Sequence, residues 1–212
     1  MIAIVDYGAG NLGSVQKALA FLGADFTVTR DAAVLRAADG VILPGVGAFG
    51  DAMRSLNESD LTDAVRGCAL SGKPFLGICL GYQILFGASD ESPGVRGLGL
   101  LPGKVLRIPF AADTALPNAA ETYKVPHMGW NSLDLPNACP LFAGIDSGAY
   151  VYFVHSYFVR ADVRGEVAAT THYTTVMDAA VRREKLFGVQ FHPEKSGAAG
   201  LAILKNFVEM TT

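Results

Sequence analysis

The first half of the chain sets the strongest constraint on its fold, because short apolar runs alternate there with segments of helical spacing. Ile2 to Val5 is a run of the buried type, and a glycine-rich turn through Gly8-Ala9-Gly10 follows it. Val15, Leu19 and Leu22 then recur at helical spacing, and Gly23 closes that helix. Further strands are expected at Asp25 to Thr29, Gly40 to Leu43 and Pro74 to Ile78, with helices between them, including Asp60 to Leu70. Such alternation argues for an open, mostly parallel sheet with helices on both faces, an α/β fold.

Beyond Leu98 shorter β-rich segments appear, punctuated by Pro102, Pro109, Pro117, Pro126, Pro136 and Pro140. Lys104 to Ile108, Tyr150 to Val154, Glu166 to Thr171 and Leu186 to Phe191 read as strands. Gly197 to Met210 reads as a final helix, with Leu201, Leu204, Phe207 and Val208 on one face. No linker rich in Gly or Ser and no repeat interrupts residues 1–212, so one α/β domain with a β-rich addition is expected.

Composition excludes several classes. Half of the 212 residues are apolar, enough for a sizeable core. A net charge of -3 with scattered Lys and Arg leaves no basic footprint for nucleic acid. Ile2 to Val5 meets Asp6 at once, too short for a signal h-region of roughly 7 to 15 residues. No stretch approaches the roughly 18 apolar residues of a membrane span. The three cysteines, Cys68, Cys79 and Cys139, form neither a disulfide framework nor a metal-ligand pattern. The expectation is a soluble protein of a reducing cytosol, without metal or cofactor.

The segment Lys73 to Phe86, KPFLGICLGYQILF, carries the most chemistry. Its apolar run ends at Cys79, where a helical pattern begins, and Gly77 and Gly81 flank the cysteine two residues away on each side. That arrangement matches a nucleophile elbow, a strained strand-to-helix turn that lifts a side chain clear of the backbone. A thiol at a helix N-terminus faces unpaired N–H groups and the positive end of the helix dipole, which favours thiolate. The Leu80 N–H is then placed to stabilise an oxyanion. The competing reading is a small buried core residue, which is favoured for Cys68 and Cys139.

A thiol nucleophile needs a base. Of the four histidines, His127, His155, His172 and His192, the last lies in FGVQFHPEKS, where a strand runs into His192-Pro193-Glu194. Pro193 ends the strand and leaves His192 at its carboxyl end, where open α/β sheets place their sites. Residues two apart in an extended stretch share a side, so Glu194 can reach and orient the His192 ring. His155, after the run Tyr150 to Val154, and His127, in a Pro-His-Met-Gly-Trp turn, remain competitors without a carboxylate at that offset. His172, among threonines, reads as structural or exposed.

An elbow cysteine with a late His-Pro-Glu resembles the class I (triad) glutamine amidotransferases. The segments IVDYGAGNL, LPGVGAFGDAM, GICLGYQ, PHMGWN, YFVHSYFV and FGVQFHPEKSG cover nearly the whole chain. They narrow the resemblance to the glutaminase subunits of imidazole glycerol phosphate synthase, with a flavodoxin-like sheet. This implies that Cys79 attacks the side-chain amide of glutamine to give a glutamyl thioester, with His192 as base and acid and Glu194 orienting it. It further implies that Val46 and Gly47 of the Gly45-Val46-Gly47 loop supply an oxyanion donor opposite Leu80. Removing such a donor costs about 3 to 4 kcal/mol of barrier. Without the resemblance, that loop reads equally as an ordinary Pro-Gly turn.

The resemblance also assigns Gly45, Gln83, Glu91, His155, Ser156 and Tyr157 to the glutamine pocket. Asn11, Trp130 and Lys195 match positions near an interface with a (β/α)8-barrel cyclase, which receives the ammonia. Trp130, the only tryptophan, reads equally as a core residue. The family's dependence on its cyclase implies that some element of the site is unready in the isolated subunit, and the Val46 peptide, flanked by glycines, is the candidate. A glutaminase serving another synthase would not account for DYGAGNL or PHMGWN, and a silent scaffold would not account for the intact cysteine, histidine and glutamate.

Overall fold

The computed structural model describes residues 1–110 and 123–212. Pro117, one of the prolines noted above, lies outside them. The first half runs β1 (Ile2–Val5), α1 (Leu12–Phe21), β2 (Phe26–Thr29), α2 (Ala32–Ala37), β3 (Gly40–Gly45), α3 (Phe49–Glu58), α4 (Thr62–Leu70), β4 (Phe75–Cys79) and the single turn α5 (Leu80–Gln83). The second half adds β5 (Gly103–Arg107), β6 (His127–Ser132), β7 (Tyr150–His155), β8 (Tyr157–Ala161), β9 (Val167–His172), β10 (Val176–Arg183), β11 (Leu186–Val189) and α6 (Gly197–Glu209).

Among the described residues a seven-stranded sheet has the order β2-β1-β3-β4-β11-β10-β9. Its first five strands are parallel, and β10 and β9 extend it antiparallel. Side chains alternate across these strands and build two cores. Ala3, Val5, Val41, Leu43 and Phe75 face Leu35 of α2, Met53 and Leu56 of α3 and Val65 of α4. Ile2, Ile4, Ile42, Leu76 and Ile78 face Val15 and Leu19 of α1 and Ile203, Leu204 and Phe207 of α6. Burying one such large side chain stabilises the fold by about 1.5 to 3 kcal/mol. Two small antiparallel pairs, β5 with β8 and β6 with β7, form the β-rich addition.

Four expectations need correction. The Pro-His-Met-Gly-Trp segment is not a turn: His127 begins β6, which pairs with β7 so that His127 lies opposite His155. The segment YFVHSYFV is divided at Ser156 between β7 and β8, and β10 was not anticipated, because its apolar spacing becomes a strand only through ladders to β9 and β11. The helix after Cys79 stops at Gln83, since the Ile84 and Leu85 carbonyls accept from Leu98 and Leu100 at 2.8 Å each. The helix expected from Asp60 starts at Thr62, because Asp60 has a positive φ of 55°.

Candidate active site

Cys79 closes β4 at the centre of the sheet, level with Gly45 of β3. Its φ of 55° and ψ of -110° are a strained conformation for a residue with a side chain. Close backbone approach dictates the flanking glycines. A β-carbon on Gly81 would run into the Leu43 carbonyl, and one on Gly77 would come within 2.7 Å of the Gly81 carbonyl oxygen.

His192 lies beyond β11, anchored by its N–H to the Tyr152 carbonyl at 2.9 Å and by its own carbonyl, which accepts from Ser196 Oγ at 2.6 Å. His192 Nδ1 and Glu194 Oε1 are 2.8 Å apart, with both side chains almost fully buried. The reason for this contact differs from the expected one. Pro193–Lys195 is a turn of 3-10 helix rather than extended chain, and its tight rise brings Glu194 back under the ring.

Burial disfavours a charged His192 ring, but the neighbouring Cys79 sulfur and the Glu194 carboxylate outweigh it and raise the pKa to about 9. His192 Nε2 is buried without an aligned hydrogen-bond partner among the described residues, so the sulfur acts on it through proximity and charge. A buried ring nitrogen left free in this way fits one reserved for a reacting group.

A cavity of about 400 Å³ opens over these residues. Val46, Gly47, Leu80, Gln83, Glu91, His155, Ser156 and Tyr157 line it with Cys79 and His192, and so do Pro126 and Val154, which the sequence did not single out. Gly45 does not line it. Its missing side chain leaves room for the Gly81 N and Tyr7 Oη, each 2.7 Å from where a β-carbon would stand, whereas Gly47 has a positive φ of 103° in open space. Backbone freedom in this loop therefore belongs to Gly47, and Gly45 is required by packing. Tyr7 Oη donates to the Pro44 carbonyl at 2.9 Å; burial, and after it the Cys79 sulfur, pushes this phenol well above its usual pKa.

Glu91 is tied to the same loop. Its Oε2 accepts from the Phe49 N–H at 2.7 Å, and Ser92 Oγ accepts from Gly50 N–H at 3.0 Å. Together they cap α3, whose own N-cap residue Ala48 offers no side-chain acceptor.

Gln190 is given no role by any motif of the sequence. It is buried, accepts from Gln83 Nε2 at 2.9 Å, and points its own Nε2 at Cys79 Sγ at 3.8 Å. Its only signal is polarity within the apolar run FGVQF, two residues before His192.

Trp130 is no core residue; it is 55% exposed and packs edge-on against Tyr152, whose ring also lies under Lys195 Nζ. Asn11, whose Nδ2 donates to Ser14 Oγ, lies on the other side of the histidine, lining a narrow crevice with Val46, His192 and Glu194. His172 is exposed at the end of β9. Among the described residues no helix is long and apolar enough to cross a membrane.

The model of the family Glutamine amidotransferase class-I matches residues 3–210. The imidazole glycerol phosphate synthase subunit HisH of Geobacillus kaustophilus is 49% identical over 212 residues, covering 100% of this chain and 98% of that one. The protein of the same name from Moorella thermoacetica is 51% identical over 209 residues, 99% of this chain and 94% of that one. Among solved structures, a glutamine amidotransferase superposes with a TM-score of 0.74 at 22% identity, covering 100% of this chain and 99% of the other. Another glutamine amidotransferase, from Thermotoga maritima, gives 0.70 at 15% identity, covering 99% of this chain and 97% of the other. At such identities these two speak for the fold alone. By its full-length match to the family and to these relatives, the chain belongs to the class-I glutamine amidotransferases, among the HisH subunits of imidazole glycerol phosphate synthase.

Proposed function

We propose that the protein hydrolyses glutamine at Cys79 and passes the ammonia to a cyclase partner. Cys79 Sγ, its proton held on His192, attacks the side-chain amide carbon to give a tetrahedral oxyanion. Leu80 opens α5, where first-turn N–H groups lack intrahelical partners, so its N–H serves as one oxyanion donor. An N–H of the Val46-Gly47 loop serves as the other. The intermediate collapses as His192 protonates the departing nitrogen, leaving a glutamyl thioester and ammonia. His192 then takes a proton from water, whose oxygen attacks the thioester; the products are glutamate and free Cys79. Glu194 holds the ring through Nδ1 and stabilises the imidazolium.

Gln83, Glu91, Ser156 and Tyr157 bind the substrate's polar ends, and His155 lines the same pocket. Asn11, Trp130 and Lys195 lie at the contact with a (β/α)8-barrel cyclase. That partner uses the ammonia to form imidazole glycerol phosphate and an aminoimidazole carboxamide ribotide in histidine biosynthesis, in the cytoplasm. The observation that carries this reading is a strained Cys79 sharing one cavity with a His192 bonded at 2.8 Å to buried Glu194.

The test is glutamate release from glutamine, with and without the cyclase subunit and its nucleotide ligand, for wild type and Cys79→Ala. Strong stimulation by the partner that vanishes in the variant is expected. Activity that needs Cys79 but ignores the cyclase would move the protein to another synthase.

A further inference from the structure

A line of polar groups runs from Asn131 on β6 through two histidine rings and the Tyr157 carbonyl to Gln83, and the donor and acceptor at each of these links are determined. At its outer end Asn131 Oδ1 accepts from the Ser132 N–H at 2.8 Å, while Nδ2 donates to the His172 carbonyl at 2.9 Å. The amide is thereby oriented, and its second N–H faces His127 Nε2 at 3.3 Å, which must accept. His127 Nδ1 lies 2.9 Å from His155 Nε2, and His155 Nδ1 lies 2.8 Å from the Tyr157 carbonyl.

A carbonyl only accepts, so His155 Nδ1 carries a hydrogen. In a neutral ring His155 Nε2 then accepts, and the hydrogen between the two rings belongs to His127 Nδ1. Read from either end, the assignment is the same. Both rings are held neutral: burial lowers His127 to about 4, and burial, followed by the neighbouring His127, lowers His155 to about 3.

The inner end fixes a second amide. The Tyr157 carbonyl also accepts from Gln83 Nε2 at 2.8 Å, and the other Gln83 N–H goes to Gln190 Oε1 at 2.9 Å. A flipped Gln83 would set its oxygen against the Tyr157 carbonyl oxygen, which a buried amide does not tolerate. Its Oε1, with no donor among the described residues, is therefore what Gln83 offers to the cavity it lines.

We infer that His127 and His155, both carrying their proton on Nδ1, are positioning residues for substrate recognition. They hold the Tyr157 carbonyl and, through it, the Gln83 amide, so that Gln83 presents an acceptor to an N–H donor of bound glutamine. The substrate's identity rests on the reading proposed above; the tautomers do not.

The test uses the complex with the cyclase subunit and its nucleotide ligand. His127→Leu removes the Nδ1 donor, whereas His127→Asn keeps an amide N–H near that place. The expected result is a glutamine KM raised about tenfold in His127→Leu with kcat within about threefold, as for lost ground-state binding. His127→Asn should return KM to within about threefold of wild type. Imidazole 15N signals of the wild type should report Nδ1–H on both rings at neutral pH. An unchanged KM in His127→Leu, equal losses in both variants, or either ring protonated on Nε2 would overturn the proposal. If His127→Leu does not fold, the ring-nitrogen signals and His127→Asn decide it. A wild-type complex without glutaminase activity would remove the functional reading and leave those signals to judge the tautomers.

Discussion

His192 is both buried and inclined to hold a proton, a combination that only its two neighbours produce. The pKa of about 9 sets an expected pH profile. Below that value the ring carries the proton needed by the departing ammonia; above it the proton is lost. In the presence of partner and ligand, kcat/KM for glutamate release should hold from neutral pH to about 9 and fall beyond. Glu194→Gln sharpens the prediction. The neutral amide stabilises the imidazolium less and can donate to Nδ1, forcing the wrong tautomer. A loss of about 10² to 10⁴ in kcat and an alkaline limb moved to lower pH are expected. A variant with wild-type kcat and an unmoved limb would show that Glu194 has no part in orienting the ring. At this scale Cys79, His192 and Glu194 were legible in the sequence because a glycine-flanked cysteine and a His-Pro-Glu are local patterns. Gln190 was not, since its partners Gln83 and Cys79 stand 107 and 111 residues away in the chain.

At the scale of elements, the elbow depends on backbones that touch. Gly81→Ala drives a β-carbon into the Leu43 carbonyl, and neither backbone can yield without moving β3 or α5. A destabilisation of about 3 kcal/mol, measured by urea unfolding, is expected from such overpacking. Gly47→Ala meets no neighbour but must hold a φ of 103°, so a smaller cost of about 1 to 3 kcal/mol is expected, all of it backbone strain. If Val46 peptide rotation readies the site, the same variant should also depress partner-stimulated activity; unchanged stimulation would dismiss that idea. The parallel strands β1, β3, β4 and β11 were readable because each is buried on both faces and therefore largely apolar, whereas the edge strand β2 is half-buried and alternates Phe-Thr-Val-Thr. β6 was not. In His-Met-Gly-Trp-Asn-Ser the apolar Met128 and Trp130 share an exposed face while His127 is buried, Gly129 has a φ of 130°, and the strand exists through pairing with β7. The reach of Glu91 across to α3 was equally invisible, being a contact between residues 42 apart in sequence.

At the scale of the whole molecule, buried histidines tie stability to pH in opposite directions. His127 and His155 titrate at about 4 and about 3 in the fold, so the unfolded chain takes up protons first as pH falls below about 6.5. Stability should drop there by about 1.4 kcal/mol per pH unit for each ring until its folded pKa is reached. The share contributed by His192 is fully present below about 6.5 and is lost as pH rises through 9. Urea midpoints should therefore fall on both sides of neutrality, and replacing His127 with Asn should flatten the acid side.

The exposed Trp130, beside Tyr152 and Lys195, lies on the β6–β7 addition outside the main sheet. Trp130→Ala should weaken cyclase binding by about 2 kcal/mol or more if the ring is a buried anchor of that contact, as calorimetry would read.

Whether Cys79 forms the covalent intermediate can be read from acid-quenched turnover of the complex on glutamine, with peptide mapping by mass. A glutamyl adduct is expected on the peptide containing Cys79 in the wild type and none in Cys79→Ser. Turnover that persists in Cys79→Ser, or an adduct on another residue, would contradict a covalent role for Cys79.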